Sequence, residues 1–146
     1  AVLDHSQAFI NDTIINKAFA DDILPLARIE RFFTTIHDFH KQVKQDTGFV
    51  FGCPFGNLGC EMSTQDEDIR NRVDGILRAA EKPFEKALAE AVAAGDLPAI
   101  DTTATARAIF AYVEGIMIYA KTRNDPELIR ELGKHALKLA IPAHMQ

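Results

Sequence analysis

Apolar residues recur at spacings of three and four along nearly the whole chain, and strand-like alternation never lasts more than a few residues. The pattern predicts an all-α domain of about six helices. The first is expected over residues 1–19, with Leu3, Ile10, Ile14 and Ala18 on one stripe and Val2 and Phe9 beside it. No capping residue precedes Ala1, so this helix is expected to start in mid-pattern, as the continuation of something longer. A second helix is predicted over 25–45, because proline is tolerated in a first turn and Gly48 offers a left-handed stop. Its inner stripe is Ile29, Phe33, Ile36, His40 and Val43, flanked by Phe32 and Phe39. A glycine-bounded turn, 48–52, leads to a short helix at 54–62. Thr64 and Glu67 then stand in capping-box relation. The longest helix follows over 66–94, with Ile69, Val73, Ile76, Leu77, Ala80, Phe84, Leu88 and Ala91 as its stripe. Pro83 interrupts it, removing the bond to the Ala79 carbonyl at a cost of about 3 kcal/mol or bending the helix. A gap at such a bend is one candidate place for a ligand; a helix merely curving round the core is the other reading.

The next helix, 102–122 behind Asp101, departs from the amphipathic norm. Ala106, Ile109, Phe110, Val113, Ile116, Met117 and Ala120 form one stripe, while Ala104, Ala108, Ala111, Gly115 and Ile118 occupy the opposite side. A helix apolar nearly all round has to be covered on both faces. In a domain of this size, the simplest cover for the second face is another copy of the chain. Small residues at spacings of three and four also permit close helix approach. The last helix is expected to begin at Asp125-Pro126 and run to Pro142. It carries Leu128, Ile129, Leu132, Ala136, Leu139 and Ala140. The final two helices are thus candidates for an intersubunit four-helix bundle. The expected dimer face comprises Ala108, Ala111, Gly115, Ile118, Leu128, Leu132, Ala136 and Leu139.

Composition narrows the class of function. The chain has 146 residues, of which 47% are hydrophobic, enough for one domain with one core. Its net charge of -5, with scattered lysines and arginines, does not provide the basic surface that duplex binding requires. No apolar run approaches the roughly 20 residues of a membrane span, and no signal-peptide succession opens the chain, so the cytoplasm is the expected compartment. Cys53 and Cys60 would lie about 10 Å apart along a helix, too far for a disulfide, and are read as free thiols.

The segment Gly52-Cys53-Pro54-Phe55-Gly56-Asn57-Leu58-Gly59-Cys60-Glu61-Met62-Ser63 resembles the GC-x-x-x-N-x-x-x-E stretch of tetracycline-repressor (TetR/AcrR) regulators. Similarity continues in order through Ile69-Arg70, Glu90-Ala91 and Ala94-Gly95-Asp96-Leu97. Ala106…Phe110…Val113-Glu114-Gly115 and Asn124-Asp125-Pro126 complete the succession. The resemblance spans nearly the whole chain. It implies the ligand-binding and dimerisation half of a transcriptional repressor, with residues 1–146 forming that domain. It also implies that the helix-turn-helix head lies before residue 1 and is missing from this chain. Operator DNA would then be reached only through that head. Ala1-Val2-Leu3-Asp4 resembles the start of the helix that joins head to domain.

Glu114 sits in the all-apolar helix, where a lone carboxylate is costly to bury. It could anchor a polar group of an effector, or bond to a backbone or to Arg107. Asn57 and Glu61, one turn apart, could line the pocket or tie the short helix to its neighbours, and tying is the expected role. Phe9, Phe33, Phe55, Phe84 and Phe110, with Leu58 and Met117, would wall a mostly apolar pocket. His37 is a candidate hydrogen-bonder to the effector. His37 and His40 could share a metal, but no third ligand is placed by spacing, and no metal or cofactor is expected. No nucleophile with base and orienting partner, no phosphate loop and no dinucleotide fingerprint is visible, so an enzyme is not expected. The function anticipated is a homodimeric sensor of a small, mostly apolar molecule. A ligand-free helical dimerisation module and a metal- or redox-responsive domain built on His37, His40, Cys53 or Cys60 stay open.

Overall fold

The computed structural model describes residues 1–145, and they are helical with no strand among them. Helix α1 (Val2–Ile10) runs without a break into a π-helical turn (Asn11–Ile15) and a closing turn (Asn16–Ala18). Helix α2 spans Pro25–Thr47, α3 Pro54–Met62, α4 Glu67–Ala93, α5 Thr102–Arg123 and α6 Glu127–Gly133. Two 3-10 turns, Ala136–Leu139 and Ala143–Met145, follow. No helix among the described residues is long and apolar enough to cross a membrane.

Helix ends follow local chemistry. Gly48, at φ 85°, ends α2, and Asp101 starts α5 by accepting from the Ala104 N–H at 2.9 Å. The start of α4 differs from the expected capping box. Asp66, not Thr64, supplies the cap, its Oδ1 accepting from the Ile69 N–H at 3.0 Å. Helix α4 continues through Pro83. The turn after α1 is held by Arg31, which donates to the Ala18 and Ala20 carbonyls and pairs with Asp22 at 2.8 Å.

The core gathers Ile29, Phe32, Phe33 and Ile36 from α2, Phe84 and Leu88 from α4, and Ile109, Val113 and Ile116 from α5. Four rings interlock there. Phe84 meets Phe19, Phe32 and Phe110 edge-on, with centroids 4.8, 4.9 and 6.1 Å apart. A satellite cluster of Phe55, Val73 and Ile76 packs α3 on α4, with Leu58 beside it.

The last helix is shorter than its sequence pattern suggests. It stops at Gly133, and Ala136 and Leu139 belong to a separate 3-10 turn. Gly133 lies against Phe33, and a Cβ there would come within 2.7 Å of the ring. This contact packs the end of α6 on α2. Ala136, three positions further on, continues the buried stripe of Ile129 and Gly133 and is wholly buried in its own subunit's core, so its assignment to the dimer face is corrected.

Candidate ligand cavity and the helix face beside it

A cavity of about 100 Å³ lies between the π-turn of α1, the middle of α2, the loop before α3, and the facing sides of α4 and α5. Periodicity places each wall. Asn11 and Ile14 come from the π-turn, Phe32, Ile36, Phe39 and His40 from α2, Ile76, Leu77 and Ala80 from α4, and Phe110, Val113, Glu114 and Met117 from α5. Cys53 and Phe55 close it from the start of α3. Two wider clefts adjoin. One of about 370 Å³, lined by Phe9, Phe51 and Val43, shares Ile10, Phe39 and His40 with the cavity. The other, about 400 Å³, is lined by Cys60, Arg70 and Ile118 and shares Cys53, Leu77, Glu114 and Met117. The small cavity is thus a waist between two mouths.

Polar groups in the waist are few and specifically held. His40 is buried, with Nδ1 2.8 Å from the Ile36 carbonyl oxygen and Nε2 3.3 Å from that of Gly52. Cys53 caps α3, its Sγ accepting from the Gly56 N–H at 3.3 Å. Burial, with the adjacent Glu114 charge, pushes the Cys53 thiol up to about 12. A thiol so far from ionising is a poor nucleophile, which removes support from a redox role for Cys53. Burial raises Glu114 above the usual carboxylate range, a shift that its hydrogen bond with the Cys53 thiol partly opposes. A Cβ on Gly56 would come 2.2 Å from a Glu114 carboxyl oxygen, so glycine is what lets the short helix and this carboxyl approach. Arg107, the alternative partner expected for Glu114, instead reaches Glu81 at 3.6 Å.

Phe55, Phe110, Glu114 and Met117 stand in the cavity wall as expected for a pocket. Five other expected ligand residues do not. Phe33 packs on Gly133, Phe84 is 0% exposed in the core, and Leu58 belongs to the satellite cluster. Phe9 is 53% exposed and lines the outer cleft. His37 is committed elsewhere. Its Nδ1 lies 2.9 Å from Asp38 Oδ1 and its Nε2 2.9 Å from Glu127 Oε1, tying α2 to α6. Nor do His37 and His40 share a site, since their rings face different partners. Among the described residues no three His, Cys, Asp or Glu side chains converge as a metal site would require.

The His37 contact holds Glu127 below the ordinary carboxylate range, with Arg130 and Lys41 adding to the effect. A carboxylate depressed in the folded state contributes stability above its unfolded value and loses it as pH falls through the lower, folded value. Urea unfolding between pH 6 and pH 3 is therefore expected to show stability falling at the acid end. His37→Ala should flatten part of that fall, and an unchanged profile would argue against the contact.

Asn124 and its neighbours were less visible in the sequence. Asn124, left-handed at φ 51°, ends α5 and accepts from the Val50 N–H at 2.8 Å while donating to the Gly48 carbonyl at 3.0 Å. Lys44 adds a bond to the Asn124 carbonyl at 2.6 Å. Asn57 donates to the Phe51 carbonyl of the preceding loop at 2.8 Å and also borders both outer clefts. The loop roofing the cavity is thereby fastened to α5 at one end and α3 at the other. An asparagine just past a helix was the available signal.

Pro83 borders a groove of about 800 Å³, but this lies on the surface with Lys82, Lys86 and Glu85 at its rim. The apolar cavity is elsewhere. On the outward side of α5, Ala104, Ala108, Ala111, Ile118, Tyr119 and Thr122 are exposed, with Gly115 half-buried among them. Leu128 and Leu132 are half-buried on α6, and Leu139 is exposed nearby. Tyr112 links the two helices by donating to the Leu132 carbonyl at 2.9 Å.

Comparison with known proteins agrees with this arrangement. The family described as "Tetracyclin repressor-like, C-terminal domain" matches residues 25–136. An uncharacterised HTH-type transcriptional regulator in the lacX 3' region of Lactococcus lactis subsp. lactis is 29% identical over 128 residues, covering 86% of this chain and 60% of the relative. The transcriptional regulator AcuR of Cereibacter sphaeroides is 35% identical over 128 residues, covering 84% of this chain and 57% of the relative. No solved structure matches with significance. The chain belongs to the tetracycline-repressor family of transcriptional regulators, in which it corresponds to the C-terminal domain. It spans about 60% of the length of the curated relatives it matches.

Proposed function

We propose that this domain binds a small, mostly apolar effector in the α1–α2–α4–α5 cavity and pairs with a second copy through the outward face of α5. In the regulator to which it belongs, occupancy would change the spacing of two helix-turn-helix heads and so release operator DNA. One observation carries this reading. The same space is walled by α1, the helix expected to lead to the head, and by α5, whose other side is the uncovered face of small residues. A ligand that fits one placement of α1 better than another shifts the balance between them, whereas equal affinity for both would shift nothing.

The test begins with a thermal-shift screen of small apolar compounds. A ligand at a hundred times its Kd should stabilise the native state by about 2.7 kcal/mol. Ala80→Phe, which sets a ring in the cavity wall, should abolish the shift. A shift of undiminished size in that variant would move the binding site elsewhere. In the full-length regulator, the same compounds are expected to weaken operator binding.

A further inference from the structure

We infer that the cavity selects a small organic cation: a primary ammonium on a short alkyl body, seated with its charge at Glu114 among phenyl rings. This inference rests on the cavity being a ligand site, and it adds what the ligand must carry.

Three observations support it. First, the charge environment is one-sided. The described residues lining the waist include a carboxyl, an imidazole, a thiol and the neutral amides of Gln7 and Asn11 but no lysine or arginine, so an anion would meet a carboxyl group and no counter-charge. Second, the rings of Phe32, Phe39, Phe55 and Phe110 line the same space. Phenyl faces attract cations, most strongly when water is displaced. Third, Glu114 retains binding capacity. Its described partner is the Cys53 thiol, a single weak donor for a group with about four lone-pair positions. A carboxyl raised by burial gains most from a cation, which restores the charged form that desolvation disfavours. Size sets the body. An apolar cavity of about 150 Å³ accepts benzene, so a 100 Å³ waist fits an aliphatic chain of about four carbons, with the mouths taking any excess.

The experiment uses the 146-residue chain with n-butylamine, 1-butanol and butanoate at pH 7, three probes that share a body and differ in head group. Affinities are measured by calorimetry, and binding is located by chemical-shift changes at Phe110, Val113 and Met117. The ammonium is expected to bind at least about tenfold tighter than the alcohol, with butanoate weakest. Glu114→Gln should reduce the ammonium-to-alcohol ratio to about twofold or less and leave alcohol binding in place. Should that variant fold poorly, the wild-type ranking of the three probes decides alone. Alcohol or butanoate binding as tightly as the amine would overturn the cation assignment while leaving the cavity as the ligand site. No binding by any of the three, with no shifts around the cavity, would overturn both.

Discussion

Phe84→Ala should destabilise the domain by about 3–5 kcal/mol, the range for removing a fully buried aromatic side chain. Phe84 is 0% exposed and touches the rings of Phe19, Phe32 and Phe110, so truncation leaves a void at the junction of α1, α2, α4 and α5. The neighbours cannot all close in, because Phe33 is fixed on Gly133 and Phe32 is held between Phe33 and Phe19. Chemical denaturation of the two proteins measures the cost. Phe84→Leu, which keeps most of the volume, should cost much less. A loss below about 1 kcal/mol for the alanine variant would mean that the four-ring cluster is not the centre of the core.

The second large effect concerns association. A Cβ on Gly115 meets nothing within 4 Å in the subunit, so Gly115→Leu should fold with near-unchanged stability as a single chain. Helix propensity, if anything, favours the substitution. Across a close helix pair, however, an isobutyl group where hydrogen stood forces the backbones apart. Overpacking of this kind typically costs 1–3 kcal/mol, and two copies meet at a symmetric interface. The dimer is therefore expected to weaken by about a hundredfold. Sedimentation at graded concentrations reads this directly. An unaltered dimer would place the interface on another surface, and a monomeric parent chain would remove the dimer altogether.

Much of the fold was legible because its elements follow elementary signals. Pro25 and Gly48 bound α2, Asp101 caps α5, and the 3.6-residue stripes identified Ile29, Ile36, Val73, Leu88 and Ile109 as core. What escaped was contact made at a distance. Gly133 packs on Phe33, a hundred positions away in the chain, and periodicity carries no trace of that meeting. The cavity was half legible for a related reason. Stripe geometry assigns a residue to an inward face but does not say whether the inward space is filled. Phe33 and Phe84 face inward into packed neighbours, whereas Phe55 and Phe110 face a gap. His40 looked equivalent to His37 by spacing, yet one borders the cavity and the other bridges to Glu127. Three residues on a helix leave a net offset of only about 60°, so spacing puts the two imidazoles on one face, and it is their partners on other elements that separate them.

The π-turn at Asn11–Ile15 gives α1 one residue more than a regular α-helix would fit in the same length. Were that surplus redistributed into ordinary α geometry, everything before Asn11 would swivel by about 100° and advance by about 1.5 Å relative to Ala18. Asn11 and Ile14 both border the cavity, so the residues whose winding sets the heading of Val2–Ile10 form part of its wall. The surplus turn of the opening helix and one wall of the cavity are thus the same stretch of chain.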